Sequence, residues 1–84
     1  KESEMALAAA KARLEIAMAL SIYRAERPRS RNRPGLQMRC LHLLERTRRT
    51  LRQQRVWYPE LVREIDAAVS EIAGDRVDLQ RKAG

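Results

Sequence analysis

Between Met5 and Tyr23 the chain offers a helix two apolar bands, where an ordinary surface helix has one. Leu7, Leu14, Met18 and Ile22 form one band, and Met5, Ala9, Ala12, Ile16, Leu20 and Tyr23 form the other, all at spacings that fit a helical period of about 3.6 residues. In the C-terminal half of this segment apolar groups lie on nearly every side. A helix apolar all round must be covered all round. Two shorter helices can cover part of it, and the remainder suggests a second chain; the competing expectation is that helix one is the central helix of a small monomeric bundle.

At 84 residues the chain has room for one domain. A chain of this size buries little more than roughly 60% of its unfolded surface, so disulfides, metals or oligomerisation often add stability. No segment alternates apolar and polar positions with the β-branched and aromatic content of a strand, and phenylalanine is absent. The predicted fold is all-α, a small three-helix, hairpin-like bundle completed by dimerisation or by a partner helix. The single domain spans 1–84.

Helix one is expected over about 4–25 with Ser3 as N-cap, because Pro28 pushes Arg27 out of helical space. A basic loop over 26–34 follows, and the alternation of arginines in RPRSRNRPG, between two prolines, predicts an extended or mobile connection. Helix two is expected over about 35–55, with Leu36, Cys40, Leu43, Leu44, Thr47 and Leu51 on one face and Arg39, His42, Arg46, Arg49 and Arg52 on the other. Helix three, about 59–73, has the clearest start. Pro59 suits a first turn, Glu60 suits the positive end of the helix dipole, and Trp57 and Val62 flank an N-cap at Tyr58 as a hydrophobic staple. Leu61, Ile65, Ala68, Val69 and Ile72 form its buried face. Gly74 is expected to end it in left-handed conformation, leaving a frayed tail over 75–84.

The formal net charge is +7, and it is concentrated in the middle of the chain. Residues 1–23 are balanced, residues 24–55 hold eleven arginines against Glu26 and Glu45, and residues 56–84 carry a small acidic excess. Segregated arginine is the footprint of a protein that neutralises phosphates, since the planar guanidinium grips phosphate with two donors at once. Arg27, Arg29, Arg31, Arg33, Arg39, Arg46, Arg49 and Arg52 are the candidate contacts to nucleic acid or to an acidic partner surface. The loop holds no aromatic residue, so it offers backbone contact without base stacking. The opposing reading has these arginines paired with the acidic face of helix three, where Glu60, Glu64 and Glu71 lie, or with Glu45. Surface pairs of that kind contribute only about 0–1 kcal/mol.

Little in the chain points to catalysis. Its three glycines, at 35, 74 and 84, are too scattered for a phosphate loop. Cys40 and His42, the only cysteine and histidine, point about 200° apart on a helix and have no companions for a metal site. The expectation is a non-catalytic protein without cofactor or metal. A lone cysteine fits a reducing, intracellular setting, cytoplasmic or nuclear. The charges Lys11, Arg13 and Glu15 argue against a membrane span in the most apolar run.

Two functional expectations follow. The first is nucleic-acid binding in a regulatory or packaging role. The alternative is a protein-interaction module, an adaptor, secretion chaperone or inhibitor, using the apolar surface of helix one and the arginine-rich face for an acidic partner. On either reading the chain is expected to form a homodimer or hetero-complex through helix one. The expected interface residues are Leu7, Leu14, Ile16, Met18, Leu20, Tyr23 and Trp57.

Overall fold

A computed structural model of the protein describes residues 2–75. They form three helices, α1 (Glu2–Ala25), α2 (Arg33–Gln53) and α3 (Pro59–Ala73), and no strand occurs among the described residues. The fold is the expected all-α bundle. Cys40 reaches the Ala19 carbonyl and Thr47 reaches Glu15, so α2 runs antiparallel to α1. Arg13 pairs with Glu64 and Arg24 with Glu71, so α3 runs parallel to α1.

Helix α1 starts before the expected cap, with Ser3 inside its first turn. The carboxylate of Glu4, in the first turn, suits the positive end of the helix dipole. It ends at Ala25, just ahead of the Arg27–Pro28 step. Of its two apolar bands, the core takes the one with smaller side chains: Ala9, Ala12, Ile16, Ala19 and Tyr23 are buried. Alanines at the contact let α2 and α3 approach α1 closely. The other band, Leu7, Leu14, Met18 and Ile22, faces outward.

The segment after α1 departs from expectation. Instead of an extended connection it makes two consecutive turns, with the Ser30 N–H donating to the Arg27 carbonyl at 3.0 Å and the Arg33 N–H to the Ser30 carbonyl at 3.2 Å. Pro28 occupies the second position of the first turn, where its fixed φ is an advantage. The Ser30 hydroxyl accepts from the Asn32 N–H at 3.0 Å and tightens the second. Helix α2 consequently begins at Arg33, earlier than expected, with Pro34 in its first turn.

Helix α2 buries Cys40, Leu44, Thr47 and Leu51, with Leu36 and Leu43 half-buried beside them. The Thr47 hydroxyl donates to Glu15 Oε1 at 2.6 Å, with the Leu43 carbonyl as a second acceptor at 2.9 Å, so burial leaves it satisfied. The helix stops at Gln53 in a Schellman motif: the Val56 N–H donates to the Leu51 carbonyl at 2.9 Å and the Arg55 N–H to the Arg52 carbonyl at 3.1 Å. Leu51 and Val56 are both buried, supplying the apolar contact that accompanies this motif. The left-handed residue it requires is Arg55, at φ 58°, where glycine is the usual choice.

Helix α3 has the expected bounds, and Leu61, Ile65, Ala68 and Ile72 fill the groove between α1 and α2. Gly74 is not left-handed; its φ and ψ are −77° and −11°. Glycine is needed there for space, because a Cβ would lie 2.6 Å from the Ser70 carbonyl oxygen. Asp75 is not frayed either. Its carboxylate accepts from the Tyr23 hydroxyl and from Arg33 Nε at 2.9 Å, and its carbonyl accepts from Gln37 at 3.1 Å. The rest of the expected frayed tail, 76–84, lies outside the described residues.

Candidate nucleic-acid interface

The fold sorts the arginines into two populations. Four are tied down. Arg24 makes a bidentate pair with Glu71, both contacts at 2.7 Å, and Arg13 lies 3.7 Å from Glu64. Arg48 donates to Asp66 at 2.7 Å and lies 3.7 Å from Glu45. Arg33 meets Asp75 at 2.9 Å, donates to the Glu26 carbonyl at 2.6 Å and lies over the Tyr23 ring. The pairing expected with the acidic face of α3 therefore occurs, but at Arg13, Arg24 and Arg48, which are not among the candidate contacts.

Arg33, one of the candidate contacts, is placed differently from the other seven. It is the one arginine of the RPRSRNRPG segment that turns inward, and it joins the ends of all three helices instead of facing solvent. In the cluster it forms, burial pushes the Tyr23 phenol up to about 12, with the hydrogen bond to Asp75 adding to the effect. The Asp75 carboxyl is held below the ordinary aspartate value by the Tyr23 hydroxyl and by Arg33.

The second population is exposed. Arg27, Arg29 and Arg31 project from the double turn, and Arg39, Arg46, Arg49 and Arg52 from the outer face of α2. None of these seven lies within 4 Å of a carboxylate among the described residues. Arg39 to Arg52 covers about 20 Å along the axis at 1.5 Å per residue. Glu45 is the single acid in this helix. The outer face of α2 is a basic strip with little internal neutralisation, and the three arginines of the turn add to its charge. Arg55, exposed just beyond α2, likewise has no carboxylate within 4 Å among the described residues. Reasoning from sequence did not single out Arg55, since nothing in the residue type signals a left-handed cap.

The expected interface residues separate as cleanly. Ile16 and Tyr23 are core residues, and Leu20 is half-buried against that core, so these three do not form an outward surface. Leu7, at 71% exposure, and Leu14, at 65%, form a row on the outside of α1 together with the half-exposed Met18 and Ile22. Trp57 is 70% exposed, which leaves little of the burial a staple would give it. Cys40 is a buried core residue whose thiol is pushed up by burial, and His42 is exposed on the basic face.

Among the described residues no three of His, Cys, Asp and Glu gather as a metal-holding group, and no helix is long and apolar enough to cross a membrane. No protein-family model, curated protein or solved structure matches the chain.

Proposed function

We propose that this protein binds the phosphate backbone of nucleic acid, without catalysis, through the arginines of the α1–α2 turn and the outer face of α2. The observation that carries this reading is the division of the arginines. Arg13, Arg24 and Arg48 are paired with carboxylates on α3, while the seven arginines of the turn and of the outer face of α2 have none within 4 Å among the described residues. Concentrated cationic charge of this kind steers polyanions and gains affinity by releasing their counterions. Backbone contact of this sort suits a regulatory or packaging role.

Anisotropy of labelled duplex DNA and single-stranded RNA, titrated at several salt concentrations, tests the reading. Five phosphate contacts on a duplex give a slope of about −4.5 in log affinity against log salt. Replacing Arg29, Arg31, Arg46 and Arg49 together by Gln should remove most of that slope with the helical signal unchanged. Absence of binding at about 50 mM salt, where phosphate contacts are strong, overturns it.

One observation favours a second reading, that of a protein-interaction module. The outward row of Leu7, Leu14, Met18 and Ile22 is an apolar surface fit for a partner helix or for a second copy in a two-fold dimer. Leu14→Glu with Met18→Glu should abolish association in light scattering and leave the monomer folded. A wild-type chain that stays monomeric at high concentration removes the homodimer form of this reading.

A further inference from the structure

The C-terminal end of α2 and the N-terminal half of α3 enclose a groove of about 300 Å³. Its floor is apolar, made by Leu51, Val56, Leu61, Val62 and Ile65, and the Trp57 indole stands on its wall. Trp57 is the only tryptophan in the chain and remains 70% exposed. Burying such a ring is strongly favourable in water, so its exposure beside an apolar floor marks a surface ready to receive a flat apolar group.

The charges around this groove indicate which group. Arg52 lines it and also belongs to the basic strip on α2, while Arg49 lies one turn earlier and Arg55 two residues before Trp57. None of the three has a carboxylate within 4 Å among the described residues; the charge of Arg48, on the same wall, is met by Asp66. Arg55 adds an independent observation. Its backbone is left-handed, so glycine would fit this turn with less strain, yet the position carries a cation. An aromatic face beside unpaired cations is the combination with which proteins hold single-stranded nucleic acid, stacking the base and neutralising the phosphates on either side. A duplex keeps its bases stacked on one another and has none to offer.

We propose that Trp57 and the groove beside it receive an unpaired nucleobase, with Arg49, Arg52 and Arg55 neutralising the flanking phosphates, so that the basic strip prefers single-stranded over duplex nucleic acid. The proposal rests on the nucleic-acid reading above and names its substrate class.

Because Trp57 is the sole indole, its fluorescence reports directly on the site. The protein is titrated with an oligothymidylate of about 12 nucleotides, within the range of known single-strand site sizes, and with a duplex of equal length. The single strand should quench the indole and the duplex should not. Trp57→Leu should weaken single-strand binding by about 5- to 150-fold, the equivalent of about 1–3 kcal/mol for one stacked base, with duplex affinity and salt slope unchanged; Trp57→Tyr should restore most of it. Both variants alter an exposed side chain, and circular dichroism checks that they fold. Tight binding of the single strand without quenching, or equal loss of both nucleic acids in Trp57→Leu, overturns the stacking site and leaves the basic strip standing. An emission change with an acidic amphipathic peptide but with neither nucleic acid assigns the groove to a protein partner and overturns the proposal. If neither nucleic acid binds by anisotropy at about 50 mM salt, the nucleic-acid reading falls and this proposal falls with it.

Discussion

The guanidinium of Arg33 lies 4.3 Å from the centroid of the Tyr23 ring while donating to the Asp75 carboxylate at 2.9 Å. One side chain thus joins the end of α1, the start of α2 and the end of α3. Arg33→Gln should lower stability in urea denaturation by about 1–2 kcal/mol, the usual scale for losing hydrogen bonds to a charged group in a partly buried cluster. The salt slope for nucleic acid should not change. Arg29→Gln with Arg31→Gln should do the reverse, reducing the slope and sparing stability. A loss of binding in Arg33→Gln as large as in that pair would return Arg33 to the interface.

The same cluster predicts two pH-dependent limbs. Tyr23 holds its proton in the folded state up to about 12, against about 10 for an unperturbed phenol, so its contribution is complete below pH 10 and is lost between about 10 and 12. Asp75 behaves in the opposite sense. Its folded value is depressed, so its contribution is present above the ordinary aspartate range near pH 3.9 and fades as pH falls through that range towards the lower folded value. Melting temperature followed against pH should show both limbs. Tyr23→Phe should flatten the alkaline limb, and Asp75→Asn should flatten the acid limb.

Arg55→Gly tests the left-handed cap. A left-handed residue other than glycine costs roughly 1–2 kcal/mol, partly offset by the extra backbone entropy that glycine loses on folding, roughly 0.5–1 kcal/mol. The variant should be more stable by about 0.5–1 kcal/mol in urea denaturation and should bind single-stranded nucleic acid more weakly. Unchanged binding would make Arg55 a cap residue alone.

Two glycines should respond in opposite directions to alanine. Gly35 lies in the first turn of α2, with nothing within 4 Å of an added Cβ, so Gly35→Ala should stabilise by about 0.5–1 kcal/mol. At Gly74 the added carbon would meet the Ser70 carbonyl oxygen at 2.6 Å, and Gly74→Ala should destabilise by about 1–3 kcal/mol, as overpacking does. Thermal melts of the two variants check both signs.

Where the sequence carried strong local chemistry, the expected elements match the structure. Pro59, Glu60 and Gly74 bound α3 at both ends, and the spacing of Cys40, Leu44, Thr47 and Leu51 marked the buried face of α2. The turn over 27–32 was not legible, because its geometry comes from the Ser30 hydroxyl and carbonyl, which a pattern of alternating arginines conceals. Arg55 was hidden for the same reason: the Schellman motif is built from backbone bonds, and its left-handed position holds a residue that does not announce it.

The sequence alone determined that this chain is helical, that it divides into three helices, and that its positive charge gathers in the middle of the chain; each of these is a local property of residue type and spacing. The tertiary structure decided which of the two apolar bands on α1 is core. Both bands fit a helix, and the choice falls to packing, where alanines let two neighbours approach and leave Leu7 and Leu14 outside. It also decided which arginines are paired among the described residues. Arg31 and Arg33 are two residues apart in one repeating pattern, but only Arg33 lies within reach of Tyr23 and of a carboxylate 42 residues away, a proximity that exists only once the three helices have docked.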